Sequence, residues 1–274
     1  MKKLLILTGP TASGKTAEAI RLARELGAEI LSCDSRQFYR EMRIGVARPS
    51  DEELAAATHH FIACRSVTEP YNISDYERDA MALLKQLFLH CDTAIAVGGS
   101  GLYVDALRLG VTSMPDPTPE LRSRLQQMPL EEKRAQLQLL DPDYYQRVDL
   151  RNPVRLQRAL EVCYMTGRPY SQVLADHQPQ PRPFDIEVRV VQIPNSELRA
   201  RIDSRVDQMM AEGLLDEVRS LLPYRHLNTL NTVGYRELFP VLDGSRNLAD
   251  AVAEIKLNTW HYARKQMTWC RRYI

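Results

Sequence analysis

The chain has 274 residues and a formal net charge of +1, with 44% hydrophobic and 26% charged residues, proportions typical of a globular protein. No apolar run reaches about 18 residues, so no membrane span is expected, and the near-zero net charge argues against a polycation that binds nucleic acid over its whole surface. The five cysteines are scattered without a Cys-x-x-Cys pair and the apolar N-terminal run is too short for a signal peptide, which together predict reduced thiols in a cytoplasmic protein.

A phosphate-binding loop follows the first predicted strand, residues 2–8. Its spacing is G-x-x-x-x-G-K-[ST], and a helix-forming stretch over 17–26 comes directly after it. In this context backbone N–H groups and the helix N-terminus form an anion site, the lysine contacts the terminal phosphate, and the Thr16 hydroxyl is placed to bind Mg²⁺. The residues expected to bind a diphosphate or nucleotide are Gly9, Pro10, Thr11, Ala12, Ser13, Gly14, Lys15 and Thr16.

The next predicted elements place further side chains beside this loop. Short apolar runs over 29–33 and 93–97 are separated by a helical pattern over 73–89. Strands that alternate with helices predict a P-loop NTPase-like, doubly wound parallel sheet, which binds ligands beyond the carboxyl ends of its strands. Asp34 follows the second strand, and Ser100, within Gly-Gly-Ser-Gly, follows the third. We therefore expect both residues on one rim with the phosphate loop.

Each of these two residues has several interpretations. Asp34 could hold Mg²⁺, bind a sugar hydroxyl, act as a base, or only cap a turn. The glycines around Ser100 could form a tight turn, or they could let the backbone come close to a ligand, with the serine hydroxyl as a donor. The residues alone leave these alternatives open.

A helical insertion is predicted between two proline-rich joints, 114–119 and 178–183. From 120 to about 174 the sequence contains no strand candidate, and a strand pattern follows over 187–193 before further helices. We therefore expect an α/β core over 1–111 and 186–274 and an all-helical insertion over 112–185.

Basic residues are concentrated in these helical parts. The last stretch, from residue 256, carries five bases and no acid, with aromatic residues interleaved. Such patches on a nearly neutral protein suggest a polyanion that is bound locally, although solvated helix faces are an equal alternative. In the insertion, one helix face presents Arg151, Arg155 and Arg158.

The helix predicted from residue 196 carries two further arginines. Arg201 and Arg205 lie one turn apart. Structural ion pairs with Glu197 or Asp207 are the simplest explanation of both.

The motifs, in this order, resemble the bacterial tRNA dimethylallyltransferases, also called tRNA isopentenyltransferases. The phosphate loop alone is common to many kinases, but its combination with DSxQxY and RALEV is far more specific. The likeness extends over nearly the whole chain, through GPTASGKT (9–16), DSRQFYREMRIGVARP (34–49), VGGSGLYVDAL (97–107), NPVRLQRALEV (152–162), RIDSRVDQMMAEGLLDEV (201–218), TVGYREL (232–238) and ARKQMTWCRR (263–272).

The resemblance implies an activity and its partners. Such an enzyme transfers a dimethylallyl group from dimethylallyl diphosphate to the N6 amine of the adenosine immediately 3′ of the anticodon in tRNA, and it requires Mg²⁺. The insertion would grip the anticodon stem-loop, and we expect a cytoplasmic monomer. The implied catalytic residues are Asp34, Lys15, Thr16, Ser100 and Arg205; Asp34 would form a hydrogen bond with the target amine, and Arg205 would help to bind the diphosphate.

The resemblance also implies a tRNA-binding set. Three positions depart from the family pattern: Ser100 replaces a threonine, while Val46 and Arg48 stand where I-G-T-A-K-P is expected, and arginine keeps the charge of lysine without its geometry. The implied tRNA contacts are Asp34, Ser35, Arg36, Gln37, Ser100, Arg122, Val154, Arg155, Leu156, Gln157, Arg158, Val233, Gly234, Tyr235, Arg236, Glu237 and Leu238.

Three other functions share part of this pattern. A P-loop kinase would use the same loop and an aspartate at the second strand, but it needs neither the arginine-bearing helix nor the basic C-terminal stretch. An enzyme that prenylates free adenine nucleotides would not need a helical clamp. An RNA-binding ATPase without transferase activity would leave Asp34 and the donor-site residues without a purpose.

Overall fold

The computed structural model describes residues 2–112, 114–176 and 181–274. The chain divides into two units, one formed by Met1–Leu109 with Pro181–Ile274 and the other by Gly110–Gln180. Part of the second proline-rich joint, residues 178–180, lies outside the described residues. Among the helices of the described residues, none is both long and apolar enough to span a bilayer.

The first unit is built on a five-stranded parallel sheet. The strand order is β3-β2-β4-β1-β5, and every neighbouring pair is parallel. The predicted doubly wound sheet is thus confirmed, and the sequence missed only β3, a two-residue edge strand. The strands are β1 (Lys3–Thr8), β2 (Ile30–Ser32), β3 (His59–His60), β4 (Thr93–Val97) and β5 (Asp185–Val190).

Helices cover both faces of this sheet because alternate strand residues point to opposite sides. The helices of this unit are α1 (Lys15–Leu26), α2 (Asp51–Ala56), α3 (Ile73–Leu87), α4 (Gly101–Leu109), α10 (Asn195–Ala211), α11 (Leu214–Ser220), α12 (Phe239–Leu242) and α13 (Leu248–Cys270).

The two faces carry separate apolar clusters. Leu4 and Ile6 of β1 are buried with residues of α3 and α4. Leu5 and Leu7 of the same strand are buried on the other face with residues of α1. A rigid, two-sided core therefore holds the loop after β1, which carries the phosphate-binding motif.

The second unit is entirely helical in its described residues. Its apolar core includes Leu125, Leu137 and Leu156, each fully buried. Asn152 caps the helix predicted from Pro153 by accepting a hydrogen bond from the Arg155 N–H. The helices are α5 (Pro119–Gln127), α6 (Leu130–Leu140), α7 (Pro142–Tyr145), α8 (Pro153–Thr166) and α9 (Tyr170–Ala175).

The division between the units falls a few residues before the expected boundaries of 111/112 and 185/186. Arg182 explains the second difference, because its guanidinium is buried and donates to the carbonyls of Ala106 and Leu107. Phe184 is also part of the first unit's core. Residues 181–184 thus pack with the α/β unit before β5 begins.

Candidate active site

The phosphate loop connects β1 to α1 in a fixed conformation. Gly9 and Gly14 have positive φ, of 150° and 89°. A Cβ atom on Gly9 would lie 2.7 Å from the carbonyl oxygen of Val191, so glycine is required there both by conformation and by space. Gly14 caps α1 without a side chain, so the first backbone N–H groups of the helix remain available for an anion.

The ammonium group of Lys15 lies against this loop. Its Nζ donates to the Pro10 carbonyl at 2.5 Å and lies 3.5 Å from Ser13 Oγ. Burial lowers the pKa of Lys15 to about 8, and the negative charge of Asp34 acts in the opposite direction. A diphosphate in the loop would restore the charged form, because it supplies the counter-charge that the partly buried lysine needs.

Asp34 lies directly after β2, at the rim predicted from the sequence. Its Oδ1 accepts a hydrogen bond from the Arg36 N–H at 3.0 Å. Burial raises the pKa of Asp34, although that hydrogen bond and the charge of Lys15 partly oppose the increase. A carboxylate with a raised pKa accepts a proton more readily, so the residue is suited to act as a base.

Two connected cavities meet at Asp34. The larger has a volume of about 550 Å³ and is lined by the phosphate loop, Thr16 included. The smaller, of about 340 Å³, shares Asp34, Thr11 and Arg205 with the first and extends to Tyr262 of α13. The carboxylate therefore faces an anion-binding space and a second space where another reactant can approach.

Arg201 and Arg205 of α10 differ in their surroundings. Arg201 is exposed and forms an ion pair with Glu197 at 2.6 Å, as the structural interpretation predicted. Arg205 points into the cleft with Nη1 3.5 Å from Thr11 Oγ1, and no described carboxylate lies within 4.0 Å of it. Desolvation lowers the pKa of the partly buried Arg205, so its charged form would be stabilised by an anion in the phosphate loop.

The glycines around Ser100 are explained by close packing on α13. A Cβ atom on Gly99 would lie 2.1 Å from the side-chain nitrogen of Gln266, and one on Gly101 would lie 2.3 Å from the Trp269 ring. The backbone therefore does approach another group closely, but that group is a helix. Ser100 Oγ itself accepts a hydrogen bond from the Ser35 N–H at 3.2 Å.

Two cleft residues on α13 received no role from the sequence. Gln266 is buried and joins two loops of the site, whereas Tyr262 lines the smaller cavity. Tyr262 is 40% exposed, so only partial desolvation, together with the charge of Asp34, raises its pKa. Gln266 had a detectable signal, since it lies three residues after Ala263 and four before Cys270 on the buried side of the helix.

The comparisons with known proteins agree on one family. A family model described as IPP transferase matches residues 37–273. The chain is 46% identical over 276 residues to tRNA dimethylallyltransferase 1 of Bacteroides thetaiotaomicron, covering 99% of the chain and 89% of the relative. It is 45% identical to the tRNA dimethylallyltransferase of Christiangramia forsetii, with 98% and 90% covered. The chain belongs to the tRNA dimethylallyltransferase family.

Solved structures of tRNA dimethylallyltransferases are similar over both units. The full-length tRNA isopentenylpyrophosphate transferase of Bacillus halodurans aligns with a TM-score of 0.69 and 31% identity, covering 99% of this chain and 87% of that one. A eukaryotic dimethylallyltransferase acting on tRNA aligns with a TM-score of 0.85 and 25% identity, covering 98% and 70%. The resemblance inferred from the motifs is confirmed.

Several residues of the first unit that a tRNA dimethylallyltransferase is expected to use for tRNA contacts are buried. Tyr235, Glu237 and Leu238 are buried, so their side chains are not available to an RNA in this structure. Glu237 instead accepts a hydrogen bond from the Gly234 N–H at 2.8 Å. The members of the same stretch that line the smaller cavity are Val233, Gly234 and Arg236.

Of the expected tRNA contacts next to Asp34, some are open to a ligand and others already have hydrogen-bond partners within the protein. Arg36 lines the smaller cavity and can meet a ligand there. Gln37 lines the larger cavity, but its amide already accepts from Ser32 Oγ at 3.0 Å and donates to the Ala47 carbonyl at 3.1 Å. The hydroxyl groups of Ser35 and Ser100 lie 3.3 Å apart.

The helical unit offers an exposed basic surface, with one correction. Leu156 is fully buried in the core of that unit and cannot contact tRNA directly. Val154 is 74% exposed, and Arg122 and Arg155 are exposed as well. The residues that already have a partner are Gln157 and Arg158, both of which donate to Glu161.

Proposed function

We propose that the chain transfers a dimethylallyl group from dimethylallyl diphosphate to the N6 amine of the adenosine immediately 3′ of the anticodon in tRNA, releasing diphosphate. The observation that carries the proposal is the position of Asp34, a carboxylate with a raised pKa between a phosphate-binding cleft and a second cavity. Family membership supports the same reaction.

The reaction exchanges one bond to carbon for another. The bond between the allylic carbon and the diphosphate oxygen breaks, and the diphosphate leaves with both electrons. Adenosine N6 forms the new bond to that carbon and gives up a proton. Asp34 accepts this proton and orients the amine, whose lone pair is otherwise delocalised into the ring.

The diphosphate leaving group is stabilised by the positively charged and N–H groups that line the larger cavity. Negative charge grows on the diphosphate as the carbon–oxygen bond breaks, and Lys15, Arg205 and the loop N–H groups are arranged to meet it. Both cations are partly buried, so their interaction with an anion is weakened less by solvent than at the surface. This arrangement lowers the barrier to departure of diphosphate without the transfer of a phosphoryl group.

We propose Mg²⁺ as the cofactor, held by the Thr16 hydroxyl together with oxygens of the donor. Within the described residues there is no cluster of three acidic, histidine or cysteine side chains that could hold a metal. Support for the proposal comes from Thr16, whose hydroxyl-bearing side chain lines the cavity with the phosphate loop, since Mg²⁺ usually keeps several waters and binds through one or two protein ligands plus substrate phosphates. When bound, the ion would neutralise part of the diphosphate charge.

We propose that the exposed basic face of the helical unit, around Arg122 and Arg155, binds the anticodon stem-loop. The target base must leave its stack to be modified, which costs a few kcal/mol, and contacts to the RNA backbone offset that cost. We propose a cytoplasmic enzyme, as a tRNA substrate implies, that acts as a monomer. ATP should compete for the phosphate loop without being hydrolysed.

The test is incubation of unmodified tRNA with dimethylallyl diphosphate and Mg²⁺, followed by mass analysis of the nucleosides. The wild-type chain should convert one adenosine per tRNA. Asp34→Asn should slow transfer by about 10²–10⁴-fold, the range for a lost general base, while tRNA affinity stays within about threefold. The matched control is Asp92→Asn, which removes an exposed carboxylate far from the cleft. Near-normal transfer by Asp34→Asn would contradict the proposed role.

A further inference from the structure

The side chain of Glu217, on α11, binds the backbone of a segment that it does not adjoin in sequence. Its Oε2 accepts hydrogen bonds from the N–H groups of Arg43 and Ile44, at 3.0 and 2.8 Å. Its Oε1 accepts from the Gly45 N–H at 3.1 Å and from the Tyr235 hydroxyl at 2.6 Å. One carboxylate thus satisfies three successive backbone donors and a phenol.

Residues 43–48, which we name the cleft wall, form one side of the larger cavity. All of them except Gly45 line that cavity together with the phosphate loop. The segment contains no strand or helix, and Ala47 has a left-handed φ of 48°. Only two backbone hydrogen bonds close within the segment, from Ala47 N–H to Ile44 and from Arg48 N–H to Arg43. Its conformation therefore depends on contacts from outside the wall.

Tyr235, which donates to Glu217 but lies outside α11, packs tightly against the wall. A Cβ atom on Gly45 would lie 2.5 Å from a ring carbon of Tyr235, so the backbone of the wall rests directly on that ring. Hydrogen bonds to an ionised acceptor are about twice as strong as neutral ones. Loss of the carboxylate would leave up to three N–H groups of the wall without their acceptor.

We propose that Glu217 is a positioning residue that holds the cleft wall against the donor site and so sets the affinity for dimethylallyl diphosphate. Gly45, Val46 and Ala47 of the wall also line the smaller cavity, but its two cations, Arg43 and Arg48, line only the larger one, with the phosphate loop. Displacement of the wall should therefore weaken binding of the diphosphate more than binding of tRNA. This inference rests on the proposed function for the identity of the donor.

The test compares Glu217→Gln with Asp216→Asn, which makes the same charge change on the exposed side of the same helix. In Glu217→Gln an NH₂ group replaces one carboxylate oxygen. This group is a donor, so it cannot accept a hydrogen bond from the backbone N–H groups of the wall. We expect the KM for dimethylallyl diphosphate to rise about tenfold in Glu217→Gln, a typical effect for lost bonds to a charged group. The kcat and the KM for tRNA should change less than about threefold, and Asp216→Asn should match the wild type.

A second variant covers the case in which Glu217→Gln does not fold. Tyr235→Phe removes only the hydroxyl donor to Glu217 and keeps the ring under Gly45, so its donor KM should rise in the same direction by about two- to threefold. A lower kcat with an unchanged donor KM in both variants would overturn the proposal, because it would indicate only a loss of folded enzyme.

Calorimetric binding of inorganic pyrophosphate separates this inference from the proposed function. Weaker binding by Glu217→Gln than by the wild type supports the role of Glu217 even if no prenyl transfer is detected. Equal binding by the two proteins would overturn it even if the wild type prenylates tRNA.

Discussion

The buried side chain of Gln266 joins the phosphate loop to the glycine-rich loop after β4. Its Oε1 accepts a hydrogen bond from the Thr11 N–H at 2.8 Å, and its Nε2 donates to the Gly99 carbonyl at 2.9 Å. The two loops follow adjacent parallel strands, β1 and β4. The Gln266 side chain of α13 links the loops through these two hydrogen bonds. Gln266 thereby sets the spacing between the diphosphate site and the rim that holds Ser100.

Replacement of this glutamine should affect both the fold and the site. Gln266→Leu leaves the partly buried Thr11 N–H and the buried Gly99 carbonyl unpaired, at about 1–3 kcal/mol each, so the free energy of unfolding should fall by about 2–6 kcal/mol. The KM for dimethylallyl diphosphate should also rise. Denaturant unfolding and steady-state kinetics measure these effects. Thr268→Ala, an exposed change on the same helix, is the control, and equal stability of the two variants would contradict the role of Gln266.

Substitution of the two arginines of α10 should change the KM for dimethylallyl diphosphate by different amounts. Arg205→Ala removes a partly buried cation beside Thr11 and should raise the donor KM about 10–100-fold, the equivalent of about 1.5–3 kcal/mol for a charged hydrogen bond. Arg201→Ala removes a guanidinium that borders Gly14 of the phosphate loop but is exposed and already paired with Glu197, an interaction for which 0.2–1 kcal/mol is typical, so its KM should change less than about fivefold. Equal effects in the two variants would refute the assignment of Arg205 to the diphosphate.

The dependence of kcat/KM on pH should be bell-shaped. Lys15 is charged below its lowered pKa of about 8 and neutral above it, so kcat/KM for the donor should fall as pH rises through that value. Asp34 must be ionised to accept a proton, so activity should also fall as pH decreases through its raised pKa. Lys15→Arg keeps its charge and should lose the alkaline decrease; an unaltered alkaline limb in this variant would exclude Lys15 as its origin.

Binding of tRNA should depend on salt through the exposed arginines of the helical unit. Arg155→Gln should reduce the slope of log affinity against log salt by about 0.7–0.9, as expected for one lost phosphate contact. Arg158→Gln should have a smaller effect, because its guanidinium already pairs with Glu161 at 3.3 Å. Filter binding over a range of salt concentrations measures both slopes. If Arg155→Gln keeps the wild-type slope, that face does not contact RNA.

The sequence predicts the sheet well because its strongest signals are local. The strand β4 has the expected bounds, and β1 and α1 differ from theirs by one or two residues. The edge strand β3 was missed because His59 and His60 carry no apolar pattern and its pairing with β2 depends on distant residues. The strand–loop–helix arrangement around the phosphate-binding motif was predictable from its spacing alone, whereas its ligand stays a prediction.

The remainder of the site depends on tertiary packing. Spacing could not distinguish Arg201 from Arg205, because the two side chains differ only in what α10 packs against. Leu156 and Tyr235 were assigned by resemblance to RNA-contacting segments, and only the folded structure reveals that both are buried. Glu217 has no sequence signal for its role, since its four donors come from residues that lie far away along the chain.

The central claim is that the phosphate loop holds a leaving group and that the hydrocarbon is what moves. The most direct measurement supplies dimethylallyl diphosphate labelled either in the prenyl carbons or in the phosphates and follows each label into tRNA. We predict that carbon label enters tRNA at one adenosine per molecule, while all phosphate label is released as free diphosphate. Phosphate label in tRNA, or carbon label that stays in solution, would contradict the account.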